Sequence, residues 1–142
     1  MADRRASALW EGNLFDGKGT VTAQSSGLFT GAEVTWASRT ESSGGKTSPE
    51  ELLAAAHAAC FSMALSNELS SRGHVPTRVT VAAVATFDNG VITTMGLDVD
   101  AEVPDTTGDQ FNEALAAAEQ SCPVSNAVRD AVKITVKGSL EN

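Results

Sequence analysis

The stretch SPEELLAAAHAACFSMALSNEL, residues 48–69, decides how the chain is read. Ser48, Pro49 and Glu51 occupy the N-cap, first-turn and third positions of a capping box, and Gly73 followed by Pro76 marks a stop. A long helix is predicted between them. It is dense in alanine and carries Cys60, one of only two cysteines in the chain. On a helix Cys60 shares its face with Leu53, Ala56, His57, Met63, Ala64 and Asn67. Such an apolar face raises a thiol pKa, because burial disfavours the thiolate. Periodicity therefore leaves two readings open: an inert core cysteine, or a thiolate activated by a cation from elsewhere.

Around this helix the pattern is mixed. Residues 7–23, SALWEGNLFDGKGTVTA, alternate about the turn signal Asp16-Gly17-Lys18-Gly19 and predict a hairpin. Short extended pieces are expected at GLFTG (27–31) and AEVTWAS (32–38), and a polar Gly/Ser loop at 38–48. Residues 77–104 are rich in β-branched side chains, with Asp88-Asn89-Gly90 between two runs, which predicts a second hairpin. A helix with Phe111, Leu115 and Ala118 on one face follows at 106–121. CPVSNAVRDAV opens a shorter helix, and KITVKGSL ends the pattern as a strand. Strands, long helix, hairpin, helix pair and final strand make an α+β domain, a single one over residues 1–142. The aromatic share of 5 % makes a thin core. The small-residue surface of AAAHAA suits close approach of another helix, either from a second copy in a dimer or from the same chain.

Composition narrows the function. Ten basic against 18 acidic residues give a net charge of −8, which argues against nucleic acid and anionic membranes as partners. MADRRASALW lacks the apolar run of a secretory signal, and no stretch approaches the roughly 20 apolar residues of a membrane span. A cytoplasmic protein is expected. There, two cysteines far apart in sequence are poor candidates for a permanent structural disulfide, and are inert, metal-bound or redox-active.

Arg39 is the leading cation for Cys60, as the only arginine between residues 6 and 71, and Lys18 is the runner-up. A guanidinium forks between a carboxylate and a sulfur better than an ammonium does. Glu50 and Glu51 suit the helix start on dipole and capping grounds alone. At about 1.5 Å per residue Glu50 lies roughly 15 Å from Cys60 along the axis, so a Glu50, Arg39 and Cys60 constellation forms more easily between two antiparallel copies of the helix. Cys122 precedes a proline and fits an N-cap, where backbone N–H groups stabilise a thiolate, or else a buried cap residue. His57 and Cys60 at i, i+3 could share a metal with His74 or Cys122, yet no CxxC or HxxxH accompanies them. A G-x-S-x-G elbow and a glycine-rich phosphate loop are both missing.

NLFDGKGT, SPEELLAAAHAACFSMALS and CPVSNAV resemble the three signature stretches of the OsmC/Ohr family of osmotically inducible and organic hydroperoxide resistance proteins. The central stretch is closer to the OsmC branch. The resemblance implies that Cys60 is the peroxidatic cysteine, forming a sulfenic acid, and that Cys122 is the resolving cysteine that joins it in a disulfide. It implies that Glu50 pairs with the catalytic arginine and that this arginine is Arg39; the Ohr branch carries its arginine in the first hairpin, where this sequence has Lys18. It further implies an intertwined α+β homodimer, its cysteine helices central and its antiparallel sheets outside, with two interface sites. An organic hydroperoxide substrate, a dithiol reductant such as a lipoylated protein, and no metal or flavin complete the picture. The rival expectation is a non-catalytic dimer that binds a small apolar ligand and whose thiols are inert.

Overall fold

The computed structural model describes all 142 residues, Met1–Asn142. Two compact units divide it, Met1–Leu52 and Leu53–Asn142. Helix and strand are mixed in the expected way, with two small three-stranded sheets.

In the first unit, β1 (Ala6–Glu11), β2 (Lys18–Ala23) and β3 (Ala32–Val34) form an antiparallel sheet in the order β1-β2-β3. The first hairpin is real, but its turn lies earlier than expected. Lys18 pairs with Glu11 and Gly19 with Trp10 inside the ladder, so the connection spans residues 12–17. Asn13 organises it, accepting from the Asp16 N–H through its side chain and from the Gly17 N–H through its carbonyl. Gly19 then serves a packing need: a Cβ there would stand 2.5 Å from the Trp10 ring. The extended piece expected at 27–31 is irregular and bent instead. AEVTWAS splits into strand β3 and helix α1 (Trp36–Thr40), because Thr35 and Ser38 form a reciprocal capping box that starts a helix there. The irregular loop is correspondingly shorter, from Glu41 to Ser48, and pairs once, at the Val34 and Thr47 bridge.

Helix α2 (Pro49–Ser71) begins where the capping pattern places it. Ser48 Oγ accepts from the Glu51 N–H at 3.1 Å, while the Glu51 carboxylate takes the Thr47 hydroxyl at 2.6 Å instead of closing the box. Gly73, at φ +84°, ends it, with the His74 N–H bonded back to the Leu69 carbonyl.

In the second unit, β4 (Arg78–Asp88) and β5 (Val91–Glu102) are an antiparallel hairpin, and Asn89 and Gly90 both take positive φ at its tip, as a two-residue turn requires. The last strand, β6 (Lys133–Glu141), pairs parallel to β5, so this sheet is mixed rather than wholly antiparallel. Helices α3 (Gly108–Ser121) and α4 (Pro123–Val128) make up the connection between β5 and β6, and such a crossover brings the chain back in the same direction. Met95, Leu97, Val99 and Ala101 alternate inward from β5 and meet Phe61, Leu65 and Leu69 of α2 and Phe111, Ala114, Leu115 and Ala118 of α3 in one core. Gly138 lets α3 sit down on β6: a Cβ there would lie 2.3 Å from Leu115 and 2.9 Å from Phe111. No helix is long and apolar enough to cross a membrane.

Candidate functional site

The first unit builds a cation–carboxylate pair beside an apolar cavity. Arg39 lies in the last turn of α1, whose position is set by Ser38: its hydroxyl donates to the Thr47 carbonyl at 3.0 Å, tying the helix to the loop before α2. From there the Arg39 guanidinium reaches Glu50 in the first turn of α2. Nε donates to both carboxylate oxygens at 3.0 and 3.2 Å, and Nη2 donates to Oε1 at 2.8 Å. Glu50 is buried and Arg39 about one-third exposed. A forked, partly desolvated pair of this kind fixes orientation far better than a surface ion pair does. The guanidinium carbon also stands 6.0 Å from the Trp36 ring centre, and Phe15 meets the same ring edge-on at 5.7 Å. Trp10, Leu14, Val34, Trp36 and Pro49 with Arg39 line a cavity of about 470 Å³. Lys18 belongs to a different, polar cavity of about 510 Å³ that it shares with Glu11, Asp16, Glu33 and Lys46. Lys18 and Arg39 therefore face different surroundings, and the Arg39 cavity is the apolar one.

The second unit brings the two cysteines together. Cys60 is half-buried on α2, and Cys122, fully buried, is the hinge residue that ends α3 and precedes α4. Both thiols are free, and Cys122 is near enough to act on the ionisation of Cys60. Burial pushes the Cys60 thiol above its ordinary value, the Val124 N–H pulls it down, and the neighbouring Cys122 adds to the rise. Cys122 does occupy the N-cap position of α4, but its side chain makes no cap hydrogen bond. The face expected around Cys60 is also different. The buried stripe of α2 is His57, Phe61, Leu65 and Leu69, whereas Ala56, Met63 and Asn67 are exposed, so Cys60 stands at the edge between the two.

His57 is fully buried, and its Nε2 pairs with Ser125 Oγ at 2.7 Å. Burial lowers its pKa, and the Glu119 charge pulls weakly the other way. With Nε2 engaged, no group of three or more His, Cys, Asp or Glu side chains converges to hold a metal. His74 pairs instead with the Thr106 hydroxyl at 3.1 Å. The structure thus assembles the proposed site residues as two pairs, Arg39 with Glu50 and Cys60 with Cys122. Trp36, three residues before Arg39, and Ser125, three after Cys122 and inside CPVSNAV, join them although neither is assigned a role from sequence. Helical spacing is the signal that could have found both.

A family model described as OsmC-like protein matches residues 42–137. The chain belongs to the OsmC-like family. Its relatives include the Escherichia coli K12 protein named Peroxiredoxin OsmC, 37% identical over 130 residues that cover 89% of this chain and 90% of that one. Among solved structures it resembles the organic hydroperoxide resistance protein OsmC of Legionella pneumophila, with 27% identity, a TM-score of 0.62 and coverage of 98% of this chain and 99% of that one. An OsmC-like protein of Mycoplasma pneumoniae, at 14% identity and TM-score 0.75 over 99% of each chain, shares the OsmC-like fold.

Proposed function

We propose that this OsmC-like chain is a thiol-dependent peroxidase that reduces organic hydroperoxides to alcohols, and that its two compact units make one OsmC-like domain. The observation that carries the reading is the pairing of two free thiols, Cys60 and Cys122, in a chain 37% identical to a named peroxiredoxin. In this mechanism the Cys60 thiolate attacks one oxygen of the O–O bond. An S–O bond forms, the O–O bond breaks, and the alkoxide leaves and takes a proton to become an alcohol. The sulfur is oxidised by two electrons and the peroxide reduced by two. The Cys122 thiol then displaces water from the sulfenic acid, giving a disulfide that protects Cys60 from overoxidation. A dithiol, of the lipoyl-protein class, returns both thiols by exchange.

Arg39 serves this chemistry by lowering the Cys60 pKa, with Glu50 orienting the guanidinium. The need is physical, since burial alone pushes Cys60 the wrong way for a nucleophile. A homodimer answers it most easily, with Glu50 and Arg39 of one copy serving Cys60 of the other. The apolar side chains of Leu9, Leu14, Phe15 and Leu28 in the first unit and Met63 in the second are all exposed in the single chain, which supports a second copy covering them. The apolar cavity beside Arg39 favours substrates with carbon to bury over hydrogen peroxide.

The test is stopped-flow turnover of cumene hydroperoxide with a dithiol reductant. Cys60→Ser should reduce turnover to the uncatalysed rate; turnover unchanged in that variant sinks the reading. A second reading, an apolar-ligand dimer with inert thiols, is favoured by the upward push on Cys60 alone. Thiol titration separates the two, since an inert Cys60 ionises at or above about 8.5.

A further inference from the structure

Resting on the peroxidase reading, a second pair of side chains runs parallel to the two thiols. His57 precedes Cys60 by three residues on α2, and Ser125 follows Cys122 by three, within α4. Each partner of the 2.7 Å Nε2 to Oγ bond is therefore about one helical turn from a thiol. Both are fully buried, and the chemistry described above uses neither.

The pair has a cost. His57 Nδ1 is buried without a hydrogen-bond partner, which an apolar side chain of similar size would avoid. What the imidazole supplies in return is one directional bond from α2 to α4. Helix α4 needs such an anchor, because six residues do not hold a helix by themselves. Its far end is fixed by Arg129, whose guanidinium donates to the Glu119 carbonyl and, at 2.8 Å, to the Glu119 carboxylate. Its near end, next to Cys122, is fixed by Ser125 on His57. Arg129 also engages Glu119, the carboxylate whose charge acts on the imidazole, while burial disfavours the charged form of His57.

We propose that His57 and Ser125 are positioning residues for disulfide formation: their bond holds the Cys122 hinge against α2 so that Cys122 Sγ stays aligned with Cys60 Sγ after Cys60 has been oxidised. In that step the Cys122 sulfur attacks Cys60 Sγ, an S–S bond forms and the S–O bond breaks. Hydroxide leaves with the proton of the Cys122 thiol as water. Disulfide geometry tolerates little error, with Cα atoms within about 7 Å and a narrow dihedral, so a loosened hinge slows this step and leaves the first oxidation unaffected.

The test follows Cys60 and Cys122 by mass spectrometry after a single equivalent of cumene hydroperoxide, with dimedone as sulfenic acid trap, in natively folded wild type, Ser125→Ala, His57→Leu and His57→Gln. In Ser125→Ala and His57→Leu the loss of Cys60 thiol should proceed at the wild-type rate. Disulfide formation should be about fivefold slower in both, the net worth of one hydrogen bond, with dimedone adduct and sulfinic acid accumulating. His57→Gln, whose amide can meet the Ser125 hydroxyl, should restore the wild-type partition. If Ser125→Ala does not fold, His57→Leu against His57→Gln carries the comparison. Wild-type disulfide rates in the folded variant, or a His57→Gln as slow as His57→Leu, overturn the proposal. A wild type whose Cys60 is not oxidised at all overturns the peroxidase reading, and the inference with it.

Discussion

Arg39 and Glu50 meet through long charged side chains at the rim of an apolar cavity, whereas Cys60 and Cys122 meet through short ones, in or at the edge of the core. The first pair is held by hydrogen bonds that say where the guanidinium points. The second is held by packing, which says where the sulfurs sit but works against their ionisation. The first region offers a cation with no thiol beside it, and the second offers two thiols with no cation on Cys60. The proposed peroxidase chemistry needs both, the cation from one copy and the thiols from another.

Breaking the charged region should have the larger effect. Arg39→Lys keeps the charge but loses the fork to Glu50 and the contact with Trp36, and should lower kcat/KM for cumene hydroperoxide by roughly tenfold to a hundredfold. Glu50→Gln, which leaves the arginine charged but poorly oriented, should cost about tenfold, and an Arg39→Lys enzyme as active as wild type would detach that region from the chemistry. The packed region responds in stability. Gly138→Ala drives a methyl into Leu115 and Phe111 and should destabilise by about 1–3 kcal/mol in denaturant unfolding, while leaving the Cys60 reaction rate intact. An unchanged midpoint there contradicts the close approach of α3 to β6.

The smallest expected effect is in pH. His57 has its pKa lowered by burial, so the unfolded chain binds a proton that the native state refuses as pH falls through the ordinary imidazole value of 6.5. Stability is lost on that side. For Cys60 the upward push belongs to the single chain, where stability would be lost as pH rises past the ordinary thiol value of 9.0; Arg39 of a second copy opposes that push, so the proposed dimer should not show this alkaline loss. His57→Leu should flatten the acid side of a plot of unfolding midpoint against pH and leave the alkaline side in place.

Much of the fold was legible because its punctuation is chemical. Asn89-Gly90, Ser48-Pro49 and Gly73 each permit few local structures, and the elements they bound follow. The parallel pairing of β6 was not legible, since strand direction depends on how a connection crosses the sheet and leaves no mark in KITVKGSL. Helix α1 was hidden for another reason. Trp36 and Thr40 favour strands by propensity, and the Thr35 and Ser38 cap overrides them. At the site, the cysteines and Arg39 stand out because such residues are scarce in this chain, as Glu50 does by its place at a helix start. Ser125 and Trp36 do not, because serine and tryptophan carry no chemical signature until their neighbours are placed. The helix wheel places Cys60 on a single apolar face, whereas Met63 and Ala56 of that face are uncovered in the single chain.

Non-reducing mass spectrometry of the intact protein after a single equivalent of organic hydroperoxide tests the central claim most directly. A Cys60–Cys122 linked peptide, lost again on addition of a dithiol, is the result the account predicts; both thiols recovered unmodified, with the hydroperoxide unconsumed, would contradict it.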